Sequence, residues 1–452
     1  MAHAKSISFK YVDLFAGVGG FAAAVNSLGG EYLLGAEIDE RAAHVYETNF
    51  GHSPKNDVRN LSKGAESIPD FELLTGGFPC QPFSKSGAQL GTTEHRGTLF
   101  DDIAEIIRVK RPKIVLLENV KNLIGPRHIQ EWRRIVSVMR DLGYRISSEP
   151  AEFSPHLLPR SLGGRPQHRA RIFITATHNP DSDGRNTEDP EPVINVAESA
   201  TQTWDLLRDL PLDANVSPNY SLASEELLWL EAWDEVITRW RSKNETKFPG
   251  FPIWSDYWQT DLPPEYESFP AWKKKFVDQN MSFYQSDSPF LDNWLEKWDV
   301  RAKFPTTKRK FEWQAGQSAS VWDCLIQFRP SGIRVKRKDY IPTLVALNQT
   351  PIFGPLRRRL TEREVARAQG FPENFSFAGQ ASAFSYKQMG NAVNIGVIAH
   401  VLRKHCERDQ DVLQLSEEGK RILSAVRAAP LNPDDVFLSW QGNVRSQNFS
   451  AK

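Results

Sequence analysis

Cysteine is scarce in this chain, which has only Cys80, Cys324 and Cys406 among its 452 residues. Three cysteines without a Cys-x-x-Cys spacing supply neither a disulfide framework nor a thiolate metal site, so we expect a reducing compartment and no bound metal. The chain also lacks an apolar run of about 20 residues, the length that spans a bilayer, and its amino terminus lacks the apolar core of a signal peptide. These absences predict a cytoplasmic protein with no membrane segment.

Net charge is absent as well, since 56 basic residues balance 56 acidic ones, but the two signs are unevenly distributed. Residues 181–234 contain 13 acidic and 2 basic side chains, whereas residues 301–338 contain 10 basic and 2 acidic ones. Aromatic residues lie among the basic ones in the second segment, a pattern that can follow a phosphate backbone. This segment is a candidate for contact with nucleic acid, although a solvated surface would show the same pattern.

The first 177 residues alternate between short apolar runs and amphipathic segments, as βαβ units do. The pattern predicts an α/β fold with a doubly wound, mostly parallel sheet. Late in the chain it predicts a helix at 356–369 and another at 391–403 that is entered through Gly390. The strands predicted earlier lie at 11–15, 32–38, 71–75, 114–117 and 171–176, and the helices at 20–28, 41–49, 99–109 and 130–142.

The composition changes near residue 178. Residues 178–220 are rich in Asp, Asn, Pro and Ser, and residues 204–322 then hold 11 of the 13 tryptophans. We expect these tryptophans to form the core of a second, smaller domain and not a platform for stacked bases. The predicted organisation is therefore a first domain that begins with 1–177, a second domain at 178–345, and a return to the first domain at 346–452.

Cys80 stands in the sequence Gly-Gly-Phe-Pro-Cys-Gln-Pro-Phe-Ser, directly after the strand predicted at 71–75. Pro79 and Pro82 restrict the backbone on both sides of it, so the thiol is held in a rigid loop at the carboxyl end of a strand, where open α/β sheets bind their ligands. A free cysteine is more often a small buried hydrophobic residue, but Cys80 lacks the periodic apolar neighbours of a core position. We interpret Cys80 as a candidate nucleophile.

A glycine-rich turn follows the first predicted strand. Gly17, Gly19 and Ala22 occupy the places of a Gly-x-Gly-x-x-Gly/Ala turn, and Glu37 follows 20 residues after Gly17. Such glycines let the backbone approach a ligand closely, and a carboxylate at this spacing can accept hydrogen bonds from ribose hydroxyls. On its own the pattern fits NAD as well as any other adenosine ligand, and a tight turn without a ligand would also produce it.

Three further clusters contain residues that could act in chemistry. Glu118 ends the strand predicted at 114–117, at the same edge of the sheet as Cys80. Arg169 and Arg171 project to one face because strand residues alternate. Gly390 precedes the last predicted helix. Taken singly, each cluster has an ordinary explanation as a cap, an ion pair or a turn.

In this order and at these spacings, the motifs closely resemble those of the C5-cytosine DNA methyltransferase family. The resemblance implies the fold of methyltransferases that use S-adenosylmethionine, with the second domain in the place of target recognition. It also implies transfer of a methyl group to C5 of a flipped-out cytosine in a specific short sequence of double-stranded DNA. The matching motifs are 13–21, 77–84, 118–120, 167–171, 359–372 and 390–393.

The resemblance also implies roles for individual residues. Cys80 would add to C6 of the cytosine, Glu118 would bind or protonate N3, Arg169 would favour the thiolate, and Arg171 would lie near the base carbonyl. Residues implied in binding S-adenosylmethionine are Phe15, Gly17, Gly19, Gly20, Glu37, Ile38, Asp57, Val58, Asn391 and Val393. Residues implied in contacting DNA are Gln81 and Ser84 beside the nucleophile, and Arg334, Lys336, Arg337 and Lys338 in the second domain.

Two rival functions stay open at this point. A transfer-RNA methyltransferase shares the fold, but that branch carries a Cys-Phe-Thr tripeptide where this chain offers Cys324-Leu325-Ile326. A noncatalytic DNA-binding regulator would be expected to have lost Cys80 or Glu118. A dehydrogenase leaves the Pro-Cys-Gln loop unexplained. By analogy, the compact length favours a prokaryotic modification enzyme that acts as a monomer and is paired with a restriction endonuclease.

Overall fold

The computed structural model describes residues 8–79, 98–179, 189–194, 202–243, 247–344 and 350–437. The chain forms two compact units: Met1–Trp204 with Val365–Lys452, and Asp205–Glu364. The sequence-based boundaries, at 177/178 and 345/346, differ from these because of side-chain contacts. Trp204 Nε1 donates to the carbonyl of His156 at 2.8 Å, which keeps this segment in the first unit. Arg358 Nη2 lies 2.6 Å from Glu364 Oε1, which keeps Glu364 in the second.

The described residues contain fifteen α-helices. Among them, no helix combines the length and the apolar character needed to cross a membrane. The helices are α1 (Gly20–Asn26), α2 (Glu40–Phe50), α3 (Val58–Lys63), α4 (Leu99–Lys110), α5 (Ile129–Asp141), α6 (Leu206–Asp209), α7 (Ser224–Lys243), α8 (Ala271–Gln285), α9 (Ser288–Lys297), α10 (Val300–Lys303), α11 (Glu362–Ala368), α12 (Ser382–Asn391), α13 (Ile395–Arg408), α14 (Gln410–Leu413) and α15 (Glu417–Ala428).

The first unit is built on a sheet of seven described strands in the hydrogen-bonded order β2-β1-β3-β4-β7-β5, with β6 also paired to β7. Strands β1 to β4 are parallel, and β7 runs antiparallel to β4, β5 and β6. The chain winds outward from β1 in both directions, which confirms the predicted doubly wound α/β class. The strands are β1 (Phe9–Leu14), β2 (Gly30–Ala36), β3 (Leu73–Gly77), β4 (Ile114–Val120), β5 (Tyr144–Ile146), β6 (Ala151–Phe153) and β7 (Arg171–His178).

Strand β4 lies in the middle of this sheet and explains how the site is anchored. Ile114, Val115, Leu116 and Leu117 are completely buried, as expected for a parallel strand covered on both faces. The strand continues beyond this apolar run through Glu118 and Asn119 to Val120, so these two polar residues are held in strand geometry. Glu118 is therefore placed by the core and not by a loop.

The predicted bounds of the two late helices, 356–369 and 391–403, were wrong. At 356–369 the backbone first turns through Arg357, which adopts a left-handed φ of 50°, and α11 begins only after Thr361. There the Thr361 hydroxyl accepts from the Glu364 amide and the Glu364 carboxylate accepts from the Thr361 amide, which is a capping box. Gly390 lies in the last turn of α12, which ends at Asn391, instead of opening a helix, and α13 begins where Asn394 Oδ1 accepts from the Val397 amide at 3.1 Å.

The second unit contains a sheet of six described strands in the order β13-β12-β10-β11-β9-β8. Strands β10 and β11 form an antiparallel hairpin, and β9 pairs parallel to β11. The strands are β8 (Ile253–Trp254), β9 (Lys310–Gln314), β10 (Leu325–Arg329), β11 (Gly332–Lys336), β12 (Ile352–Phe353) and β13 (Arg358–Arg359).

Tryptophans fill the core of this second unit, as predicted. Trp233 stacks on Phe311 with ring centroids 4.8 Å apart, and it packs against Trp294 at 5.1 Å. Trp272 is the exception, with 72% of its surface exposed. The buried members of the cluster are Trp229, Trp233, Trp258, Trp294 and Trp313.

A buried polar network ties α13 and the turn after it to β7 in the first unit. The Thr177 hydroxyl donates to Asp409 Oδ2 at 2.7 Å and lies 2.8 Å from His405 Nε2, so it accepts a hydrogen bond from that nitrogen. Arg408 donates to both oxygens of Asp409, at 2.8 and 2.9 Å. Burial lowers the pKa of His405 to about 4, while the positive charges around Asp409 outweigh its burial and lower its pKa to about 2. His405 is therefore neutral and Asp409 charged at neutral pH.

This network predicts acid sensitivity. The pKa of His405 is near 6.5 in the unfolded chain and near 4 in the folded one. Between these pH values the unfolded chain therefore binds more protons, and the free energy of unfolding falls as the pH drops through this window. His405→Gln removes that titration. We expect the slope of unfolding free energy against pH between 4 and 6.5, measured by urea denaturation, to be smaller in the variant by up to about 1.4 kcal/mol per pH unit. Equal slopes in the two proteins would contradict the assignment.

Candidate active site

A cavity of about 340 Å³ opens at the carboxyl ends of the parallel strands in the first unit. It lies where β1 has β2 on one side and β3 on the other, the switch point at which open α/β sheets bind ligands. Its walls come from the turn after β1, the connection after β2, the ends of β3 and β4, the start of β7 and the connection between α12 and α13. Parts of the chain far apart in sequence therefore meet at one site.

The turn after β1 is held open by backbone geometry and by Glu37. Phe15, Gly17 and Gly19 have φ angles of 58°, 55° and 94°, in the left-handed region. Glu37 Oε2 accepts from the Gly17 amide at 2.8 Å, and Oε1 accepts from the Asp39 amide at 2.7 Å. Each carboxylate oxygen retains a second lone pair, so Glu37 can brace the turn and still accept from a ligand hydroxyl. Burial raises the pKa of Glu37.

Gly20 brings the amino end of α1 against the connection between α12 and α13. A Cβ atom on Gly20 would lie 2.7 Å from Val393 Cγ2 and 3.1 Å from the Val393 carbonyl oxygen, so only glycine allows this approach. Val393 is buried, while Asn391 is exposed at the end of α12. The first and last motifs of the sequence thus form one wall of the cavity.

The cavity brings together some of the residues predicted to bind a cofactor but not others. Phe15, Gly17, Gly20, Glu37, Asn391 and Val393 all line it. Ile38, Asp57 and Val58 do not line the cavity. Ile38 is 73% exposed, and Val58 is buried in the core. Asp57 caps α3 by accepting from the Arg59 amide at 2.9 Å. All of these cofactor roles stay predictions, both for the residues that line the cavity and for Gly19, Ile38, Asp57 and Val58, which do not.

Glu118 and Arg171 form an ion pair at the edge of the cavity. Arg171 Nε lies 2.8 Å from Glu118 Oε1, and both side chains are largely buried. Burial raises the pKa of Glu118, although the positive charges of Arg171 and Arg169 oppose the rise. Burial and the like charge of Arg171 together lower the pKa of Arg169 to about 9, against the opposing charge of Glu118. A carboxyl group whose protonated form is favoured by burial can donate a hydrogen bond or a proton to a base.

Asn119 is a residue at this site that the motif comparison left without a role. Its Nδ2 donates to the carbonyl of Phe78 at 3.0 Å, and its Oδ1 accepts from the Val120 amide. The end of β4 is thereby tied to the segment that leads into Cys80. Polar residues that end a buried strand were the available signal, since Glu118 and Asn119 share it.

Cys80, Gln81 and Ser84 lie outside the described residues. Of the cysteines that are described, Cys324 and Cys406 are buried, and burial raises the pKa of their thiols to about 11 and about 12. A thiol that stays protonated is a poor nucleophile. Neither of these two cysteines has the surroundings of a reactive one.

The four basic residues predicted to contact DNA lie in or just after β11 of the second unit. Arg334 is paired with Glu312 at 2.6 Å, and Arg337 with Asp339 at 3.1 Å. Lys336 is partly buried. The carbonyl of Lys338 accepts from the Leu206 amide at 2.9 Å.

Comparison with known proteins gives one consistent result. The family model described as C-5 cytosine-specific DNA methylase matches residues 9–407. The chain is 40% identical to the Type II methyltransferase M.AluI of Cellulosimicrobium cellulans, over 93% of this chain and 96% of that protein. It is 30% identical to M.BanI of Aneurinibacillus aneurinilyticus, over 88% and 95%, and 30% identical to M.HpaII of Haemophilus parainfluenzae, over 88% and 90%. The similarity therefore extends over nearly the whole chain.

Alanine at Gly19, in the turn after β1, and alanine at Gly51, which caps α2, should lower the free energy of unfolding by different amounts. Gly19 and Gly51 both have positive φ, so alanine at either is expected to lose about 1–2 kcal/mol of unfolding free energy. A Cβ on Gly19 would also lie 2.1 Å from the ring of Phe50, whereas nothing lies within 4 Å of one on Gly51. Urea denaturation should show Gly19→Ala to be less stable than Gly51→Ala by about 1–3 kcal/mol. Equal losses would mean that the ring of Phe50 moves aside freely.

Proposed function

The chain belongs to the C-5 cytosine-specific DNA methylase family and is a DNA cytosine-5-methyltransferase, and on this premise we propose how it works. We propose that S-adenosylmethionine is the methyl donor and that the target is a cytosine flipped out of double-stranded DNA. The observation that carries the proposal is the meeting, at one cavity, of the ion pair Glu118–Arg171, the turn after β1 and the segment leading to Cys80.

The residues around the cavity suit S-adenosylmethionine. Glu37 has lone pairs available for the two ribose hydroxyls, and Phe15 supplies an aromatic face for adenine. Asn391 and Val393 lie where the methionine end would be held. When bound, the cofactor supplies an electrophilic methyl group. Gly17, Gly19 and Gly20 keep the backbone beside it free of side chains.

The chemistry then follows from the weakness of cytosine C5 as a nucleophile. The Cys80 thiolate adds to C6, which moves electron density onto C5. Glu118 stabilises this change by donating to N3 as negative charge develops on the ring, and Arg171 holds Glu118 in place. Arg169 provides positive charge that favours the thiolate. Once C5 has taken the methyl group, with cleavage of the S–CH3 bond and S-adenosylhomocysteine as the co-product, loss of the C5 proton to water and departure of the Cys80 thiolate restore the aromatic ring and release 5-methylcytosine.

A cytosine stacked inside a duplex cannot enter this cavity. The target base must be flipped out, at the expense of a few kcal/mol that contacts in the pocket offset. Gln81 and Ser84, which follow the nucleophile in sequence, are candidates to contact the DNA backbone at that point. The second unit is the candidate target-recognition domain.

The names of the relatives point to a biological role for the methylation. They are Type II methyltransferases, and we infer that this chain likewise modifies one short DNA sequence as part of a restriction-modification system. A cognate endonuclease would cut the same sequence when it is unmodified. The enzyme would act as a monomer, since one chain contains all the residues proposed to act.

The first test is methyl transfer itself. Purified protein is incubated with unmethylated genomic DNA and labelled S-adenosylmethionine, and 5-methylcytosine is mapped by bisulfite sequencing. Methylation should be confined to one short motif. Cys80→Ala should abolish transfer while cofactor affinity persists, and Cys324→Ala, which removes a buried thiol, should remain active. Normal turnover by Cys80→Ala would overturn the mechanism. If the wild-type protein labels transfer RNA instead of DNA, the RNA methyltransferase is favoured. If it labels neither, the noncatalytic regulator is favoured.

The cofactor site is tested separately by calorimetry with S-adenosylmethionine. Glu37→Ala removes charge-assisted hydrogen bonding to the ribose, and a net loss equal to one such bond, about 1.5–3 kcal/mol, should lower affinity by about 10- to 150-fold. Glu40→Ala is the matched control, because Glu40 is exposed and its ion-pair partner is Lys55. Unchanged affinity in Glu37→Ala would remove the ribose assignment.

A further inference from the structure

The sheet of the second unit has one apolar face and one polar face. Side chains alternate along a strand, and Phe311, Ile326 and Ile333 point into the tryptophan-rich core. The residues between them lie on the opposite face and are partly exposed. Those polar-face residues on β9, β10 and β11 include Glu312, Gln327, Arg329, Arg334 and Lys336.

Positive charge on this polar face exceeds negative charge. Arg334 stands opposite Glu312 in the register of β11 and β9, and its Nε and Nη2 lie 2.7 and 2.6 Å from the same Glu312 oxygen. Among the described residues, no carboxylate lies within ion-pair distance of Arg329 or Lys336. Burial lowers the pKa of Lys336, and the charges of Arg334 and Arg329 lower it further, against the opposing effect of Asp339 and Glu312. One carboxylate thus serves three neighbouring cations.

Two side chains on this face have hydrogen-bonding groups without a partner in the described part of the chain. Nη1 of Arg329 is buried from solvent and donates to no acceptor there. The amide of Gln327, two residues earlier on the same face, likewise forms no side-chain hydrogen bond with the described residues. Unmatched donors and crowded cations destabilise the chain on its own, and both are relieved if an anionic ligand supplies acceptors.

The hairpin places these residues beside an exposed turn. Among the described residues, strand β12 pairs with Leu325 and Ile326 of β10 but not with Gln327 to Arg329. Pro330 and Ser331, which turn the chain into β11, are exposed. A β-hairpin that bears cations beside an exposed turn is an element of the kind that the major groove of duplex DNA admits.

We propose that Arg329 and Gln327 read base edges in the major groove and so determine which sequence is methylated. The proposal rests on the proposed function and deepens it. Arginine matches the two acceptors of guanine, O6 and N7, and glutamine matches the acceptor and donor of adenine, N7 and N6. Arg334 is held by Glu312, and with Lys336 it supplies the charge that draws the phosphate backbone to this face. Arg329 and Gln327 are about 6.7 Å apart along the strand, so they contact different base pairs.

The test measures methylation rates on a panel of duplexes. The motif of the unmodified chain is first mapped on genomic DNA, and each base pair other than the target is then replaced in turn. Arg329→Ala should lose about 5- to 150-fold of its discrimination at one guanine, and Gln327→Ala a similar factor at one adenine elsewhere in the motif. Arg329→Lys keeps the charge but not the bidentate geometry and should also lose discrimination. Arg301→Ala, which removes an exposed arginine of α10, should keep the original profile.

The possible results separate this inference from the function beneath it. If the unmodified chain methylates no DNA, the proposed function fails before any variant is compared. Two results together would show that Arg329 contacts phosphate and that the inference is wrong. The Arg329→Ala variant would bind all duplexes more weakly by the same factor, and the slope of its log affinity against log salt concentration would be smaller by about one. An Arg329→Lys variant that discriminates between the duplexes as the wild-type protein does would also overturn the inference. So would a methylated motif that contains no adenine. Circular dichroism and cofactor affinity verify folding, and if Arg329→Ala does not fold, Arg329→Lys and Gln327→Ala decide the question.

Discussion

The proposed chemistry depends on keeping a carboxyl group buried at the edge of a sheet. Glu118 sits there because the four apolar residues before it in β4 are completely buried and fix the strand. Arg171 arrives beside it because β7 pairs antiparallel with β4, which places Val120 opposite Arg171. Removing one member of a buried pair leaves the other charge uncompensated, typically at an expense of about 3–5 kcal/mol. The same arrangement that makes the site reactive therefore makes it dependent on an intact sheet.

Much of this site could be predicted from the sequence because its signals are local. The glycines after β1, the carboxylate 20 residues later and the alternation of Arg169 and Arg171 each reflect geometry over a few residues or one βαβ unit. The contact between Gly20 and Val393 could not be predicted in the same way, since it joins segments at opposite ends of the chain. The helix bounds near Gly390 failed for a related reason: a glycine can end a helix or precede one, and here the cap is Asn394.

The second unit shows why counting charges identifies a surface poorly. The count selected Arg334 and Arg337, which the structure pairs with Glu312 and Asp339. It passed over Arg329, which precedes the dense run of basic residues but has a donor without a partner in the described part of the chain. Charge in a sequence is a sum, whereas recognition depends on which charges share a face and which are already neutralised. Only strand register resolves that question.

Arginine has two different tasks in this chain, and the surroundings decide which one applies. Arg169 and Arg171 are buried beside a carboxylate, so their charge is used within the protein to tune the site. Arg329 lies among like charges, and one of its donors has no partner in the described part of the chain. The proposed contact with DNA would compensate this charge. In the first arrangement a carboxylate lies beside the arginines, and in the second the like charges oppose the stability of the free chain. Substitutions that stabilise the free chain by relieving the second arrangement are therefore the ones expected to weaken recognition, because natural proteins retain such unfavourable groups where function requires them.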